Sequence, residues 1–409
     1  MKILGITAEY NPFHNGHKYH IEESRRKTGA DCIVAVMSGN FTQRGEAAIL
    51  DKWERSRLAV ENGVDLVVEL PFVYACNRAQ LFAEGAIDIL CGMGAEYISF
   101  GSESGNLSEL FGLARALIDE DNEIASAREK FMQSGNSFAK AGELAVEEVL
   151  GKASAGLMLQ PNNILAIEYL KRMIFWNEKG KNIEPVTIER FGSGYHGENS
   201  EAGFAGASAI RNMKNRGEFG KYVPENVMCA LDGGRPSGNA HECALQADER
   251  LFQLVRSEIV KNSPEALRLV YHMGEGLENK LKKEIVTARN LDALVSSVVS
   301  KRYTEASVRR LLTYVLMGIR EFEPAKAVYG RVLAANDVGR KLLGSLKKQD
   351  GHIPIITNIN KDELDNEIVQ ACLKYDVLAS DMYNLIYNRD MYAFSDKVKR
   401  PYIAGTDGR

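Results

Sequence analysis

Short apolar runs and helically spaced apolar positions alternate over the first hundred residues of this chain. The short runs predict strands at residues 3–8, 32–37, 64–69 and 97–100. Apolar residues that recur every three or four positions predict helices at residues 17–27, 51–62 and 79–90. Strands and helices in this alternating order favour a parallel sheet with helices on both faces.

The pattern beyond residue 100 is mainly helical. It predicts a long helical stretch at residues 107–174, a strand at 186–190, and helices at 243–262, 277–287, 291–301 and 362–375. Residues 353–357 fit either a short strand or an extended linker, and residues 401–409 are typical of a frayed tail. We therefore predict an α/β fold, with a Rossmann-like parallel sheet and a helical insertion in residues 1–220 and a mainly helical domain in residues 221–409.

Charge and cysteine content narrow the classes of protein that fit. The 409 residues carry 51 lysines and arginines against 55 aspartates and glutamates, a net charge of -4, which excludes a chain that is basic throughout. The six cysteines form no Cys-x-x-Cys pair, as expected of free thiols in the reducing cytoplasm. Neither a basic-plus-apolar leader nor an apolar run of roughly 18 residues is present, so we expect a cytoplasmic protein with no membrane span.

The segment after the first predicted strand carries the clearest chemical signal. Pro12 ends the strand, and His14-Asn15-Gly16-His17 then begins a helix. A helix start points free N–H groups at an anion, and Gly16 leaves no Cβ where a phosphate would approach. His14 and His17 could hydrogen-bond phosphate oxygens from one side. A zinc site is the alternative for two such histidines, but no cysteine or carboxylate follows at ligand spacing.

Two further loops leave the same edge of the predicted sheet. Ser38-Gly39-Asn40 follows the second strand and Gly101-Ser102-Glu103 follows the fourth. Because the carboxyl ends of parallel strands share one edge, we expect both loops to meet the histidine segment in one crevice. Ordinary turn chemistry is the alternative for either loop taken alone.

Residues 9–17, Glu-Tyr-Asn-Pro-Phe-His-Asn-Gly-His, resemble the His-x-Gly-His motif of the nucleotidyltransferase superfamily. In this extended form they are similar to one branch, the bacterial tRNA(Met) cytidine acetate ligases. Five more segments resemble that branch in the same order: MSGNFTQRGE at 37–46, VELPF at 68–72, FGSE at 100–103, QPNNIL at 160–165 and KRYT at 301–304. The likeness covers most of the chain.

The resemblance implies a two-step reaction. ATP and acetate would form acetyl-adenylate and pyrophosphate, and the acetyl group would pass to N4 of the wobble cytidine of elongator tRNA(Met). Activation is chemically necessary because acetate is a poor acyl donor and the cytosine amine is a weak nucleophile. Mg²⁺ is expected from ATP chemistry, although no carboxylate in the sequence can be assigned to it.

The resemblance also implies which residues bind ATP. His14 and His17 would stabilise charge on the phosphates, and Ser208 and Arg211 match a Ser-x-x-Arg element for the β and γ phosphates, with Ser208 as a helix N-cap. An ordinary capped helix with a surface arginine is the alternative for that second element. The full set of implied ATP contacts is Thr7, Ala8, Glu9, Tyr10, Asn11, Pro12, Phe13, His14, Asn15, Gly16, His17, Lys18, Tyr19, His20, Gly101, Asn162 and Arg190.

A local excess of basic residues lies between residues 280 and 331. Its members are Lys280, Lys282, Lys283, Arg289, Lys301, Arg302, Arg309, Arg310, Arg320, Lys326 and Arg331. We predict that Lys301, Arg302, Tyr303, Arg309 and Arg310 bind tRNA, with Tyr303 stacking on an unpaired base. A solvated helix face is the alternative for this charge.

Two other functions fit parts of the sequence. A small-molecule adenylyltransferase would use the same histidines but would need no basic C-terminal half, and most such enzymes are shorter. An RNA-binding protein with a decayed nucleotide site would have lost phosphate-contacting residues, which this chain retains. The glycine-rich segment 192–197 fits either a loop that closes over the site, with His196 assisting proton removal, or a mobile connector.

Overall fold

A parallel-dominated sheet lies at the centre of the molecule. The computed structural model describes residues 1–119, 123–190, 203–213, 216–233, 240–274, 276–320, 328–348, 353–362 and 366–405. The strands in this part of the chain are β1 (Ile3–Ala8), β2 (Cys32–Ser38), β3 (Leu66–Leu70), β4 (Tyr97–Ser102), β5 (Glu184–Glu189), β6 (Gly330–Ala335), β7 (Ile355–Ile356) and β8 (Tyr402–Ile403). Their order is β5-β4-β1-β2-β3-β6-β7, with β8 also paired to β6.

The strand order reverses direction at β1. From β1 the chain proceeds through β2 to β3 on one side, whereas β4 and β5 lie on the other, and all these pairs are parallel. In an open α/β sheet, ligands bind beyond the carboxyl ends of the strands at such a reversal. The segment after β1 and the segment after β4 therefore meet at the expected position of a site, and the predicted α/β class is confirmed.

Helices cover both faces of the sheet and build most of the remainder. The N-terminal half contains α1 (Asn15–Thr28), α2 (Lys52–Glu61), α3 (Phe72–Ala75), α4 (Ala79–Gly92), α5 (Leu107–Ile118), α6 (Glu123–Gln133), α7 (Phe138–Leu150), α8 (Lys152–Leu157) and α9 (Pro161–Glu178). Helices α5 to α9 form the predicted insertion between β4 and β5. Asp51 caps α2 by accepting the backbone N–H of Glu54 at 2.8 Å, as their spacing in the sequence indicates.

The remaining helices follow β5. Within the described residues they are α10 (Ala207–Asn212), α11 (Arg216–Phe219), α12 (Glu225–Gly233), α13 (Ala240–Lys261), α14 (Pro264–Arg268), α15 (Leu277–Glu284), α16 (Leu291–Val298), α17 (Glu305–Met317), α18 (Asp337–Leu346) and α19 (Glu367–Ile386), and Gly220–Tyr222 forms a 3-10 turn. The proposed loop at 192–197 and its His196 lie outside the described residues.

The predicted frayed tail is wrong for the part of it that the structure describes. Tyr402 and Ile403 pair in parallel with Ala334 and Ala335 of β6. The reason is an open sheet edge: β6 bonds to β3 on one side, and β7 covers only its first two residues on the other. β8 pairs with the last two residues of β6 on that open edge. The division of the chain into two domains at residue 220 stays a prediction. Strands β6, β7 and β8 come after that residue and extend the sheet that β1 to β5 form.

A buried network of ion pairs joins the C-terminal region to the sheet. Lys52 Nζ lies 2.7 Å from a Glu69 oxygen and 2.8 Å from Asp396 Oδ2, while Arg331 lies 2.8 Å from Asp396 and 3.2 Å from Glu69. All four side chains are at most 3% exposed. Arg331 therefore does not belong to a basic RNA-facing surface, contrary to its place in the predicted cluster, because both acids neutralise it inside the core.

Residues 38–40, at the end of β2 and the start of the loop after it, belong to this interior and do not line the crevice. Asn40 donates a hydrogen bond to Ser380 Oγ at 3.3 Å, and the Glu69 carboxylate occupies the space where a Cβ on Gly39 would lie. Arg55 donates to the carbonyl oxygens of Ser38 and Gly39. The expectation that three loops converge on the site is therefore wrong for residues 38–40. Within the described ranges, no helix combines the length and apolar character needed to cross a bilayer.

Candidate functional site

A cavity of about 350 Å³ opens where β1 and β4 end. It is enclosed by the segment after β1, the loop after β2, the start of α9, the end of β5 and the start of α10. The implied ATP contacts that line it are Thr7, Ala8, Glu9, Tyr10, Asn11, His14, His17, His20, Gly101, Asn162 and Arg190, together with Ser208 and Arg211. We call this space the nucleotide cavity.

His14 and His17 form the floor of the nucleotide cavity at the start of α1. The backbone N–H of His14 donates to His17 Nδ1 at 3.2 Å, and the backbone N–H of His17 donates to the His14 carbonyl at 2.8 Å. Their rings stack with centroids 3.6 Å apart. Gly16 permits this, because a Cβ there would lie 3.0 Å from the His14 ring. The space left by Gly16 is thus filled by His14 and not directly by a phosphate.

Both histidines are neutral at physiological pH. Burial lowers the pKa of His14 to about 3, and burial together with the adjacent His14 holds the pKa of His17 well below its ordinary value. Since His17 Nδ1 accepts a hydrogen bond, its proton resides on Nε2, which can donate to a ligand. His14 Nδ1 is buried with no hydrogen-bond partner among the described residues. These rings can therefore act as hydrogen-bonding groups and not as fixed positive charges.

Arg190 supplies positive charge to the nucleotide cavity. It directly follows β5, and its backbone N–H donates to the Ser102 carbonyl at 3.0 Å. A Cβ on Gly101 would lie 3.0 Å from Arg190 Cγ, so the glycine makes room for this side chain. Burial lowers the pKa of Arg190, but a guanidinium remains protonated in proteins. Among the described residues Arg190 forms no ion pair, which leaves it available to an anionic ligand.

Asn162 is held by a reciprocal contact between β4 and α9. The Glu103 carboxylate accepts hydrogen bonds from Asn162 Nδ2 at 2.6 Å and from the Asn163 backbone at 2.8 Å. In return, Asn163 Oδ1 accepts the backbone N–H of Glu103 at 2.9 Å. A carboxylate at a helix start is favourable because of the exposed N–H groups there. The resembling segments FGSE and QPNNIL therefore interact directly, which fixes Asn162 at the cavity wall.

The second predicted phosphate element lies across the cavity from the histidines. Gly206, and not Ser208, occupies the N-cap position of α10, so the predicted capping role of Ser208 is wrong. Ser208 lies in the first helical turn, where its Oγ is 3.3 Å from Arg211 Nη2. Arg211 also donates to the Asn11 carbonyl at 2.8 Å. Arg211 thus contacts the segment after β1, and Ser208 contacts Arg211.

Glu9 is one of the implied ATP contacts, whereas several other residues of the cavity were not assigned a role from the sequence. Glu9 Oε1 accepts the backbone N–H of Gln43 at 2.7 Å, and burial raises the pKa of Glu9. Glu46 lies 3.5 Å from Arg211. Thr42, Gln43, Arg44 and Glu46 all line the cavity. They belong to the resembling segment 37–46, which was the available signal, although the sequence did not show which of its residues would face a ligand.

A smaller adjoining space contains two more of the implied contacts. Gly16 and Tyr19 line a cavity of about 100 Å³ next to the nucleotide cavity. Pro12, Phe13, Asn15 and Lys18 line neither of these spaces. Asn15 instead donates to the carbonyl oxygens of Gly203 and Lys221, at 3.1 and 3.0 Å. Its contact therefore fixes the segment that leads into α10.

The predicted tRNA-binding residues are on and before α17. Lys301 and Arg302 are exposed. Arg309 pairs with Asp292 at 2.7 Å and Glu305 at 3.0 Å. Arg310 donates to the Gln43 carbonyl at 3.2 Å, which connects α17 to the cavity loop. Lys301 and Arg302 therefore extend outward, whereas Arg309 and Arg310 also hold the structure together.

No dedicated metal site is evident in the part of the chain that the structure describes. No group of three or more histidine, cysteine, aspartate or glutamate side chains there is arranged to hold a metal ion.

Comparisons with known proteins agree with this geometry. The family model described as HIGH Nucleotidyl Transferase matches residues 1–397. A tRNA(Met) cytidine acetate ligase from Thermoanaerobacter sp. (strain X514) is 40% identical over 97% of this chain and 98% of that protein. The protein of the same name from Caldicellulosiruptor saccharolyticus is 38% identical over 95% and 94%.

Solved structures give the same result. Thermotoga maritima TmcAL, in its apo form, superposes with a TM-score of 0.84 at 27% identity, covering 98% of this chain and 99% of that one. A second structure of that protein, bound with alpha-thio ATP, gives a TM-score of 0.83 at the same identity and coverage. Fold, full-length similarity and the matching segments agree, and the chain therefore belongs to the tRNA(Met) cytidine acetate ligase family of HIGH nucleotidyl transferases.

Proposed function

We propose that this protein uses ATP to activate acetate as acetyl-adenylate and transfers the acetyl group to N4 of the wobble cytidine of elongator tRNA(Met). The observation that carries the proposal is the nucleotide cavity itself. It gathers His14, His17, Arg190, Ser208 and Arg211 in a chain whose full-length relatives carry this function in their names.

The first step is displacement at the α-phosphorus of ATP. A carboxylate oxygen of acetate attacks phosphorus, the bond to the bridging oxygen breaks, and pyrophosphate leaves. His14 and His17 would donate hydrogen bonds to phosphate oxygens, while Arg190 and Arg211 would neutralise charge that accumulates on them. Neutral imidazoles suit this role because they donate without competing for a proton. Magnesium would supply further charge neutralisation on the phosphates.

The second step is acyl transfer to the cytosine amine. The N4 lone pair attacks the acetyl carbonyl carbon, and AMP leaves as a stabilised phosphate anion. The basic residues Lys301 and Arg302 are exposed and lie shortly before α17 in the sequence, and Arg310 of α17 donates to the Gln43 carbonyl in the cavity loop. We therefore assign Lys301, Arg302, Tyr303, Arg309 and Arg310 to the tRNA-binding surface, within the mainly helical region after residue 220.

The test is incubation of purified protein with ATP, Mg²⁺, isotope-labelled acetate and total bacterial tRNA, followed by nucleoside mass spectrometry. Labelled N4-acetylcytidine with release of AMP and pyrophosphate is the expected result. Acetate-dependent pyrophosphate release with no labelled RNA would contradict the tRNA assignment. Incorporation of AMP into a metabolite would instead identify a small-molecule adenylyltransferase.

A further inference from the structure

A second cavity, of about 320 Å³, adjoins the nucleotide cavity. Glu46 and Arg211 belong to the walls of both spaces. The remaining walls come from residues 45–49 and from α13, α16 and α17, so the sheet region and the helical region enclose it together. Its volume is at the lower end of the range of about 300–1,000 Å³ that is typical of small-ligand sites.

The inner walls of this second cavity are apolar. Leu251 and Leu312 are buried at 5% and 2% exposure, and Val255 is buried at 1%. The ring of Tyr387 also contributes, and its hydroxyl donates to the Ala48 carbonyl at 2.9 Å, which fixes its orientation. Such walls suit a flat ring of roughly the size of a pyrimidine base.

Charged groups are placed at the mouth and at the junction with the nucleotide cavity. Glu46 lies at the junction, 3.5 Å from Arg211. Asp248, Asp292 and Arg309 also line the cavity, and Arg309 lies 2.7 Å from Asp292. The carboxylates in this cavity can accept hydrogen bonds from an amine. The guanidinium groups can donate hydrogen bonds to a ring nitrogen and to a carbonyl oxygen.

We propose that this second cavity binds the target cytosine of the tRNA, turned out of the anticodon loop, and that Glu46 receives the proton that the N4 amine loses. This inference rests on the proposed function. Single-stranded RNA bases can be turned outward into protein pockets, and carboxylates are the usual partners of the cytosine amine. A uracil has a carbonyl oxygen in place of that amine. The oxygen carries no proton, so it could not donate a hydrogen bond to the Glu46 carboxylate.

The transfer step balances with Glu46 as the proton acceptor. The N4 lone pair of cytosine forms a bond to the acetyl carbonyl carbon. The carbon–oxygen bond to the adenylate then breaks, its electron pair remains on AMP, and one N4 proton moves to the Glu46 carboxylate. Arg211, which lies in both cavities, is positioned to stabilise the departing phosphate.

The experiment compares Glu46→Gln and Asp248→Asn with the wild type in two separate assays. Acetate-dependent ATP–pyrophosphate exchange reports the first step, and single-turnover formation of N4-acetylcytidine on an elongator tRNA(Met) transcript reports the second. Loss of a general base slows a step by about 10²–10⁴-fold, so we expect E46Q to slow acetyl transfer at least about 100-fold while exchange falls by less than about tenfold. D248N should weaken the preference for a C34 over a U34 transcript in competition binding.

The matched control is Glu305→Gln. Glu305 also pairs with Arg309, at 3.0 Å, but lies outside the second cavity. It should leave both rates within about twofold of wild type. Circular dichroism and thermal melting establish that each variant folds.

The cytosine site would be overturned if E46Q slowed pyrophosphate exchange and acetyl transfer equally, or if both cavity variants transferred acetyl at the wild-type rate. Neither result would contradict the proposed ligase activity. A wild-type protein that fails to acetylate tRNA would instead overturn the proposed function on which the inference rests.

Discussion

Gly16 lies directly beneath the His14 ring, and a Cβ at that position would be 3.0 Å from both His14 Nδ1 and Cε1. The second residue of helix α1 is therefore a glycine, because the His14 ring occupies the space that a side chain there would fill. We expect Gly16→Ala to displace the His14 ring and to reduce acetyl-adenylate formation at least about tenfold, because an electrostatic site is sensitive to small displacements.

The stability of G16A should differ from wild type by less than about 1 kcal/mol, since alanine is favourable in a helix. Gly112→Ala in α5 is the matched control, because no atom lies within 4 Å of the Cβ it would introduce. Pyrophosphate exchange and thermal melting distinguish the two effects. Wild-type exchange in G16A would show that the position of the His14 ring does not matter.

His17 acts through both ring nitrogens. Its Nδ1 accepts the His14 backbone N–H, and its Nε2 is free to donate to a phosphate. In His17→Asn a side-chain oxygen replaces the Nδ1 acceptor while the donor is lost. We expect exchange to fall about 10²–10³-fold, the usual cost of removing one charge-stabilising donor.

His272→Asn is the control for that substitution, because His272 lines neither the nucleotide cavity nor the second cavity and its φ of 61° suits asparagine. Exchange in H272N should match wild type. A comparable loss in both variants would point to a general effect of histidine replacement and not to phosphate contact.

Lys52 forms ion pairs with two buried acids, Glu69 in β3 and Asp396 in the C-terminal region. Lys52→Met leaves these carboxylates with too little compensating charge, so we expect the free energy of unfolding to fall by about 3–5 kcal/mol. Lys140→Met, which breaks the exposed pair with Glu143, should cost less than about 1 kcal/mol. Urea titration followed by circular dichroism gives both values, and equal losses would contradict the structural role assigned to the buried network.

His20 makes stability depend on pH. Burial, followed by Arg190, lowers its pKa to about 4, and its Nε2 is 2.8 Å from Ser99 Oγ. The unfolded chain therefore binds a proton near the ordinary histidine pKa, while the folded chain does not, and folding weakens as pH falls below about 6.5. At pH 5 the loss from this one residue is roughly 2 kcal/mol.

The measurement compares wild type with His20→Gln, which retains a polar group but does not titrate. The difference in unfolding free energy between pH 7.5 and pH 5 should be smaller in H20Q by roughly that amount. Identical pH dependence in the two proteins would show that His20 titrates normally in the folded state.

Lys301 and Arg302 provide the clearest test of the proposed tRNA-binding surface, because both residues are exposed. The double alanine variant should weaken tRNA binding and reduce the slope of log affinity against log salt by about 1 to 2, while pyrophosphate exchange stays at the wild-type rate. Lys179→Ala with Lys181→Ala removes the same charge at the opposite end of α9 from the cavity. Equal effects in the two double variants would indicate general electrostatic attraction only.

The local pattern of apolar residues was sufficient to predict the N-terminal strands. Each of these strands is a short apolar run that lies next to a segment with helically spaced apolar residues. Local pattern did not reveal the short strand β8, for the opposite reason. β8 has two residues and gains its hydrogen bonds from β6, far away in the chain, so nothing in residues 402–403 alone distinguishes it from a tail.

The sequence by itself determined the α/β class and the helical insertion, since these depend on spacing within about twenty residues. From the same local spacing it predicts a phosphate-binding role for the segment around Gly16. Only the tertiary structure decided that Gly101 accommodates Arg190, that Glu103 holds Asn162, and that Arg331 is a core residue. Each of these contacts joins residues more than fifty positions apart, and such pairings arise from the packing of whole elements and not from local preference.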